Sequence, residues 1–143
     1  MKEVDFRGKA INTGDWIYGS YVADYTISDS YSSYIRPNYG QTVEEMYAID
    51  FHTLGQFIGL YDRNANRIFE GDIVRCTSSN ENSAIYIIQY EEEQLSYVFK
   101  TSITKHAYMY SLFDLQQYEL GENITFEILG NIYDNPELIE YNL

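Results

Sequence analysis

The amino-acid sequence predicts a mainly β fold, a small β-barrel or sandwich built from hairpins with one or two short helices. The first reason is that 16 tyrosines and 7 phenylalanines occur in 143 residues, and ring side chains pack well on the pleated, half-buried surface of a sheet. The second reason is that short apolar runs alternate with turns rich in Gly, Asn, Asp and Glu, which is typical of β-hairpins. An α+β fold is the alternative, because one segment near the C-terminal end has helical spacing.

The length of the chain fits one domain. A chain of 143 residues buries roughly two thirds of its unfolded surface, so we expect a single domain over residues 1–143, or two β subdomains that meet near residues 71–76. The single cysteine, Cys76, excludes an internal disulfide and favours a reducing compartment. The first ten residues are polar, and no apolar stretch approaches the ~20 residues of a membrane helix. We therefore expect a cytoplasmic protein without membrane contact.

The charge balance argues against direct binding of nucleic acid. Acidic residues number 22 and basic residues 9, which gives a net charge of −13. Binding to a phosphate backbone needs Lys and Arg side chains that displace counterions. The sequence therefore favours protein as the partner, and an acidic surface that imitates nucleic acid is the alternative.

In the N-terminal third, the pattern predicts strands followed by a loop. Residues 16–18 and 21–22 read as two strands with a break near Gly19, because glycine weakens a strand interior. Residues 28–40 are rich in Ser, Asp and Tyr, which predicts a loop. Residues 42–45 have the spacing of a capping box, which predicts either a turn of helix or the approach to a strand.

Two hairpins are predicted in the middle of the chain. Residues 57–61 and 67–69 are apolar runs joined by a polar turn. A further turn at residues 70–72 precedes the next strand. Residues 85–90 and 96–100 form the second hairpin, which an acidic turn closes.

The C-terminal part predicts a strand and a short final helix. Residues 107–120 have helical spacing, but the pattern does not decide whether they form a helix. Residues 125–129 and 131–133 read as a strand with a kink at Gly130. Asn135, Pro136 and Glu137 then supply an N-cap, a first-turn proline and an acidic residue, which together predict the start of a helix.

Two separated segments resemble the YopX family of phage and prophage proteins. Residues 51–75 end in Glu-Gly-Asp-Ile-Val, and residues 126–140 contain Gly-Asn-Ile-Tyr-Asp-Asn-Pro-Glu-Leu. The opening Phe-Arg-Gly-Lys and Trp-Ile-Tyr-Gly elements are also similar to that family. The chain departs from it in the first hairpin turn, where Asn64-Ala65-Asn66 stands in place of Asn-Gly, and we expect a flanking Asn to take the left-handed conformation. The resemblance implies a phage or prophage accessory protein and no particular reaction.

The acidic residues in these segments are candidates for metal binding or catalysis. Asp62 begins a sequence like a calcium loop, but Arg67 and Ile73 occupy the positions that need Gly and Glu, so we predict an ordinary hairpin turn. Glu70 and Asp72 are the carboxylates that a hydrolase would use. Bonding to turn amides accounts for Asp72, and solvation or a pair with Arg67 or Arg75 accounts for Glu70.

The remaining nucleophile and zinc candidates are Cys76, His52 and His106. Motifs for a cysteine nucleophile are missing around them, and two histidines with one cysteine do not make a convincing zinc set. Phosphate-binding and dinucleotide-binding motifs are missing as well. We therefore predict no catalytic residue, no metal and no cofactor.

A tyrosine-rich stretch is the best candidate for a binding surface. Tyrosine offers a large, rigid contact area at low entropic cost and is enriched at interfaces. We therefore predict a non-enzymatic, protein-binding accessory protein that forms a homo-oligomer and binds a host protein, with an acidic nucleic-acid mimic or a carboxylate-based hydrolase as alternatives. The tyrosines of the stretch are Tyr18, Tyr21, Tyr25, Tyr31, Tyr34 and Tyr39.

Overall fold

The computed structural model describes residues 5–23, 33–37, 45–103 and 107–140, and within them the protein is mainly β, as predicted. Short helical segments are α1 (Leu112–Asp114), a π-helical turn (Leu115–Glu119) and α2 (Glu137–Glu140). In the described ranges no helix is long and apolar enough to cross a membrane. The strands are β1 (Phe6–Ala10), β2 (Trp16–Ala23), β3 (Ser33–Pro37), β4 (Tyr47–Tyr61), β5 (Arg67–Phe69), β6 (Asp72–Thr77), β7 (Ser83–Glu91), β8 (Ser96–Lys100), β9 (Met109–Tyr110) and β10 (Thr125–Asn131).

The chain divides into two compact units within β4. The first unit is Met1–Gly59 and the second is Leu60–Leu143. The predicted meeting point near residues 71–76 lies inside the second unit. Whether the units act as one domain or as two subdomains stays a prediction.

In the first unit, four strands pair in a closed order. β2 pairs with β1 and β3, and β4 pairs with β3 and β1, all antiparallel. Every one of these strands therefore has two hydrogen-bonded neighbours. Gly8 is needed where the strands close, because a Cβ there would lie 2.6 Å from Cδ1 of Ile49. Ile35, Ile49 and Phe57 are buried in this unit.

Two predictions about the first unit are wrong. β2 is one continuous strand, and Gly19 lies inside it. A Cβ at this position would overlap the backbone carbonyl of Arg36 on β3, so glycine allows the two strands to approach each other. The predicted loop at residues 28–40 contains β3, whose central Ile35 is fully buried. Long-range pairing with β2 and β4 creates this short strand. Residues 42–44 lie outside the described residues, and residues 45 and 46 lead directly into β4.

Both predicted hairpins are present, and all of their residues except 57–59 belong to the second unit. The end of β4 and β5 are neighbours in one sheet, and β7 pairs with β8 across an acidic turn. β6 to β9 and β10 form a five-stranded antiparallel sheet in the order β10-β6-β7-β8-β9. The final helix α2 is confirmed, and it packs its apolar side on this sheet. The residues of that apolar cluster are Ile73, Ile85, Ile87, Leu129, Ile132, Leu138 and Ile139.

Residues 107–120 are helical only in their second half. Met109 and Tyr110 form the edge strand β9, and the helical segment begins after Ser111, whose hydroxyl accepts a hydrogen bond from the backbone N of Asp114 at 3.1 Å. The Asp114 carboxylate accepts from the backbone N of Ser111 in return, which completes a capping box. The helix continues as a π-helical turn that buries Leu115.

Candidate binding surface

The two segments that resemble the YopX family meet in the second unit. β6 and β10 pair, with Asp72 opposite Asn131, and the backbone N of Ile132 donates to the carbonyl of Gly71 at 2.9 Å. Gly71 has a φ of 93°, and a Cβ on it would lie 3.0 Å from the ring of Tyr133. Only glycine satisfies both the backbone conformation and the close approach of the ring. The two segments are therefore parts of one packed structure.

The predicted kink at Gly130 is confirmed as a β-bulge. Val74 pairs with Ile128 and Ile73 pairs with Gly130, so one extra residue stands in β10. The Asn135 side chain fills the space at Gly130, where a Cβ would overlap it, and its Oδ1 accepts from the backbone N of Asn131 at 3.2 Å.

The Asn131 side chain holds the turn that follows β10. Its Oδ1 accepts from the backbone N of Tyr133 at 3.0 Å and from that of Asp134 at 2.9 Å, and its Nδ2 donates to the Asp134 carboxylate at 3.1 Å. The polar side chains of this segment therefore bond to their own backbone.

Asp62 bonds to backbone amides in the first hairpin turn. Its Oδ1 accepts from the backbone N of Asn64 and of Asn66, both at 2.9 Å, and the backbone of Ile128 on β10 also donates to the carboxylate. Burial raises the pKa of this carboxyl, but the hydrogen bonds together outweigh burial, so its pKa lies below the ordinary value. These bonds account for Asp62 without a cation, in agreement with the predicted hairpin turn.

The left-handed residue of this turn is Ala65, and the prediction that a flanking Asn would take this conformation is wrong. Ala65 has a φ of 65°, and its backbone N donates to the carbonyl of Asp62 at 3.0 Å. The two amides that bond to Asp62 fix the residues on either side of Ala65, so the left-handed conformation falls on the residue between them. Alanine holds it at a cost, because its Cβ crowds the backbone there.

Glu70 and Asp72 occupy different environments. Asp72 is 1% exposed, and its Oδ2 accepts from the backbone N of Phe69 at 2.8 Å, as predicted for a turn residue. Glu70 is half-buried, and its Oε2 accepts from the backbone N of Tyr90 at 3.1 Å. Burial raises the pKa of the Glu70 carboxyl, and this effect is larger than the lowering of the pKa by the hydrogen bond from the backbone N of Tyr90. Arg75, one of the predicted partners of Glu70, lies 3.1 Å from Glu127. A hydrolase would need two accessible carboxylates, and Asp72 is buried.

The thiol candidate Cys76 and the imidazole candidate His52 lie in different units of the chain. Cys76 is fully buried on β6, and burial raises the pKa of its thiol to about 12, which is the environment of an inert cysteine. His52 is exposed in the first unit, and His106 lies outside the described residues. Within the described part of the chain, no group of three His, Cys, Asp or Glu side chains is placed to hold a metal ion.

Three described tyrosines of the tyrosine-rich stretch lie in strands of the first unit, and a binding role for the stretch stays a prediction. Tyr18, Tyr21 and Tyr34 are half-buried strand residues, and the hydroxyl of Tyr21 is hydrogen-bonded to the hydroxyl of Ser33 at 3.2 Å. Tyr25, Tyr31 and Tyr39 lie outside the described residues. The described tyrosines of the stretch therefore contribute to the sheet of the first unit.

A wide bulge in β4 does expose aromatic side chains. Arg7 lies opposite Gly55 and Lys9 lies opposite Asp50, so two steps along β1 match five steps along β4. The extra residues of β4 fall within residues 51–54 and leave the regular ladder. We call this segment the β4 bulge. Bulges re-aim side chains at the rims of barrels and beside binding sites.

Side-chain hydrogen bonds brace the base of the β4 bulge. The Thr53 hydroxyl donates to the carbonyl of Asp50 at 2.6 Å and accepts from the backbone N of Lys9 at 2.9 Å. The backbone N of His52 donates to the Asp50 carboxylate at 3.0 Å. Because Thr53 is buried, the two bonds of its hydroxyl satisfy backbone groups that the bulge removes from the regular ladder.

Two rings project from the β4 bulge beside a cavity. Phe51 is 60% exposed, and its ring centroid lies 6.3 Å from that of His52 in an edge-to-face arrangement. The adjacent cavity has a volume of about 450 Å³. Its lining consists of Lys9, Ala10, Ile11, Gly14, Ile49, Asp50, Phe51 and His52.

The sequence contained only a weak signal for this surface. Phe51 begins the first family-like segment, and the expected alternation of a strand is lost between residues 51 and 54. A bulge becomes identifiable only when the register against β1 is known, because Thr53 and Lys9 are 44 residues apart.

The second unit exposes a further set of large apolar side chains close together in the sequence. They lie in and around β9, α1 and the π-helical turn, and we call them the β9–α1 surface. Tyr118 is 76% exposed and Tyr108 is 73% exposed. π-Helical turns frequently occur at functional sites. The residues of the β9–α1 surface are Ile103, Tyr108, Phe113 and Tyr118.

Comparison with known proteins agrees with this architecture. The crystal structure of protein EF1440 from Enterococcus faecalis is similar to the chain, with a TM-score of 0.52 and 17% sequence identity over 97% of this chain and 99% of that one. At this identity the likeness shows the fold alone. Comparison with curated proteins finds no match. The family model described as YopX protein matches residues 5–140, and the chain therefore belongs to the YopX family.

Proposed function

We propose that this YopX protein is a non-enzymatic protein-binding module, a phage or prophage accessory protein that acts in the cytoplasm of a bacterial host. One observation carries the proposal. Polar side chains of the family-like segments accept hydrogen bonds from the protein's own backbone. Large apolar side chains, in contrast, are exposed to solvent on the β4 bulge and on the β9–α1 surface. Groups that already have bonds are poor candidates for chemistry, and exposed aromatic groups are typical binding anchors.

The β9–α1 surface is the proposed contact for a host protein. Phe113 is 62% exposed, and it lies in the short helix that the Ser111 and Asp114 capping box fixes. Tyr118 follows in the π-helical turn that Leu115 anchors in the interior. Aromatic side chains held on a fixed backbone lose little entropy on binding, so they contribute strongly to affinity.

In the acidic-mimic alternative, three carboxylates of the family-like segments would contribute little, and exposed acids such as Glu92, Glu93 and Glu122 would form the surface. Such a mimic needs rows of accessible acids in the positions of phosphates. Asp62 and Asp72 are buried and accept hydrogen bonds from backbone amides. Glu127 lies 3.4 Å from Arg63 and 3.1 Å from Arg75, and these cations offset its charge.

The proposal is tested by capture of host proteins from a bacterial lysate with three baits. The baits are the wild type, the double variant Phe113→Ser/Tyr118→Ser, and the control Tyr90→Ser/Leu95→Ser, which removes exposed apolar side chains on the β7–β8 hairpin. We expect the wild type and the control to retain the same host protein and the first variant to lose it. Equal capture by all three baits, or capture of nothing specific, would contradict the proposal.

A further inference from the structure

We propose that the β4 bulge is a self-association surface, on which Phe51 of each copy enters the cavity beside the β4 bulge of a second copy. This inference deepens the proposed protein-binding function and rests on it. The occupant is a second copy of the same chain, because a projecting ring and a cavity able to receive it lie side by side on one surface. A two-fold arrangement makes such a surface complementary to itself.

The rigidity of the β4 bulge supports this pairing. Both hydrogen bonds of the Thr53 hydroxyl and the turn between Asp50 and His52 fix the backbone beneath the projecting rings. A ring that is already held in position loses little conformational freedom when it docks. The edge-to-face contact with His52 restricts the Phe51 ring further.

The cavity has the size and lining for a phenyl ring. Its volume is about 450 Å³, and Ala10, Ile11 and Ile49 provide an apolar lining. Gly14 leaves one side open, because a Cβ on it would have no atom within 4 Å. A docked phenylalanine removes on the order of 150–250 Å² of surface from water, and the two-fold arrangement does so twice.

The charges that line the cavity are complementary across the same two-fold arrangement. Lys9 and Asp50 both line it and lie opposite each other in the ladder of one chain. The favoured two-fold arrangement is the one that places each Lys9 nearer to the Asp50 of the other copy than to its Lys9, because like charges repel. Opposite charges at such a site fix the orientation and disfavour other pairings. The net charge of −13 repels two copies at long range, and salt screens this repulsion. Self-association should therefore strengthen as salt rises from low ionic strength.

The strand pairing of the first unit favours association through side chains over association by extension of its sheet. In the described residues, β1 to β4 pair in a closed order, and each strand has two neighbours. A second copy therefore finds no unpaired strand among them to extend. Exposed side chains, among them the rings of the β4 bulge, make the contact instead.

The experiment measures mass by light scattering after gel filtration, at concentrations up to about 200 µM, since assembly depends on protomer concentration. The variant is Phe51→Asp, and the matched control is Leu95→Asp, which places the same charge at an exposed apolar side chain on the β7–β8 hairpin in the other unit. We expect the wild type and the control to form dimers and Phe51→Asp to weaken dimerisation by about tenfold or more. A monomeric wild type, or a Phe51→Asp variant that dimerises like the control, would overturn the proposal.

A second measurement identifies the contacting face without relying on loss of assembly. Mixing the Ile11→Cys variant with the Phe51→Cys variant under mild oxidation should give a disulfide between the two chains. The native Cys76 is fully buried and does not compete. Failure to trap the mixed pair in a protein that dimerises would place the dimer contact elsewhere. A monomer that still captures a host protein would refute only self-association, and a dimer that captures none would refute only host binding.

Discussion

Replacing Ala65 with glycine should stabilise the protein. Ala65 holds a φ of 65° in the turn between β4 and β5, and the left-handed conformation costs a residue with a Cβ about 1–2 kcal/mol. Glycine removes this cost, but it gives the unfolded chain more freedom, which offsets about 0.4–1 kcal/mol. The Ala65 side chain is exposed, so loss of its methyl group removes little packing.

The midpoints of these two ranges, about 1.5 and about 0.7 kcal/mol, give a net gain of about 0.8 kcal/mol in the free energy of unfolding. This gain corresponds to a rise in melting temperature of about 2–4 °C for a chain of this length. Differential scanning calorimetry and urea unfolding measure both quantities. The matched control is Asn64→Gly in the same turn, because Asn64 is not among the described residues with a positive φ. We expect this control to lose about 0.5–1 kcal/mol.

A melting temperature of Ala65→Gly that equals or falls below that of the wild type would refute the reasoning. The same conclusion follows if both variants change by the same amount, because the effect would then reflect flexibility of the turn and not relief of strain at one residue. The backbone bonds to Asp62 should persist in the glycine variant, since they involve amides and not the Ala65 side chain.

Three further predictions concern stability and one concerns metals. Gly71→Val and Gly130→Val should each lower stability by about 2–4 kcal/mol in thermal melts. Gly121→Val should cost less than Gly71→Val, because Gly121 has a similar φ of 88° but open space around a Cβ. Equal losses for Gly71→Val and Gly121→Val would contradict a role for the Tyr133 contact. Asp62 has a lowered pKa, so its ionised form contributes to the free energy of unfolding above the unfolded-state pKa of about 3.9, and this contribution is lost as pH falls through the folded-state pKa. Urea unfolding should show a difference in stability between the wild type and Asp62→Asn at about pH 7 that shrinks in acid. A difference that stays constant with pH would refute this. Thr53→Val should cost about 1–3 kcal/mol because it removes both bonds at the base of the β4 bulge, while Thr53→Ser should retain most of the stability; equal losses for the two would contradict the bracing role. Calorimetric titration with calcium, magnesium and zinc should give no specific heat, and a stoichiometric site of about micromolar affinity that raises stability would overturn the account of Asp62.

Local patterns predicted much of the second unit. The hairpins, the turn at Asp72 and the start of the final helix after Asn135 depend on residues near one another in the sequence. Gly130 marked the position of a kink, although the bulge itself is defined by the long-range pairing of β10 with β6. Turn chemistry and alternating apolar residues determine such elements, so a single sequence contains enough information for them.

Long-range pairing explains the features that the sequence did not predict. β3 becomes a strand because its Ile35 is buried between two distant strands, and Gly19 allows a close approach of β3 and does not break β2. The β4 bulge depends on the register between β1 and β4. The half-burial of Tyr21 depends on its pairing with Ile35 of β3, which the sequence did not reveal. Local propensity gives way to tertiary contacts at each of these positions.

The central claim is that exposed apolar side chains bind a host protein and that the acids of the family-like segments do not. The direct measurement is isothermal titration of the purified captured protein into the wild type, into Phe113→Ser/Tyr118→Ser and into Glu70→Gln. We expect the double variant to raise the dissociation constant by about tenfold or more. We expect Glu70→Gln to leave it unchanged. A dissociation constant that changes with Glu70→Gln and not with the double variant would contradict the account.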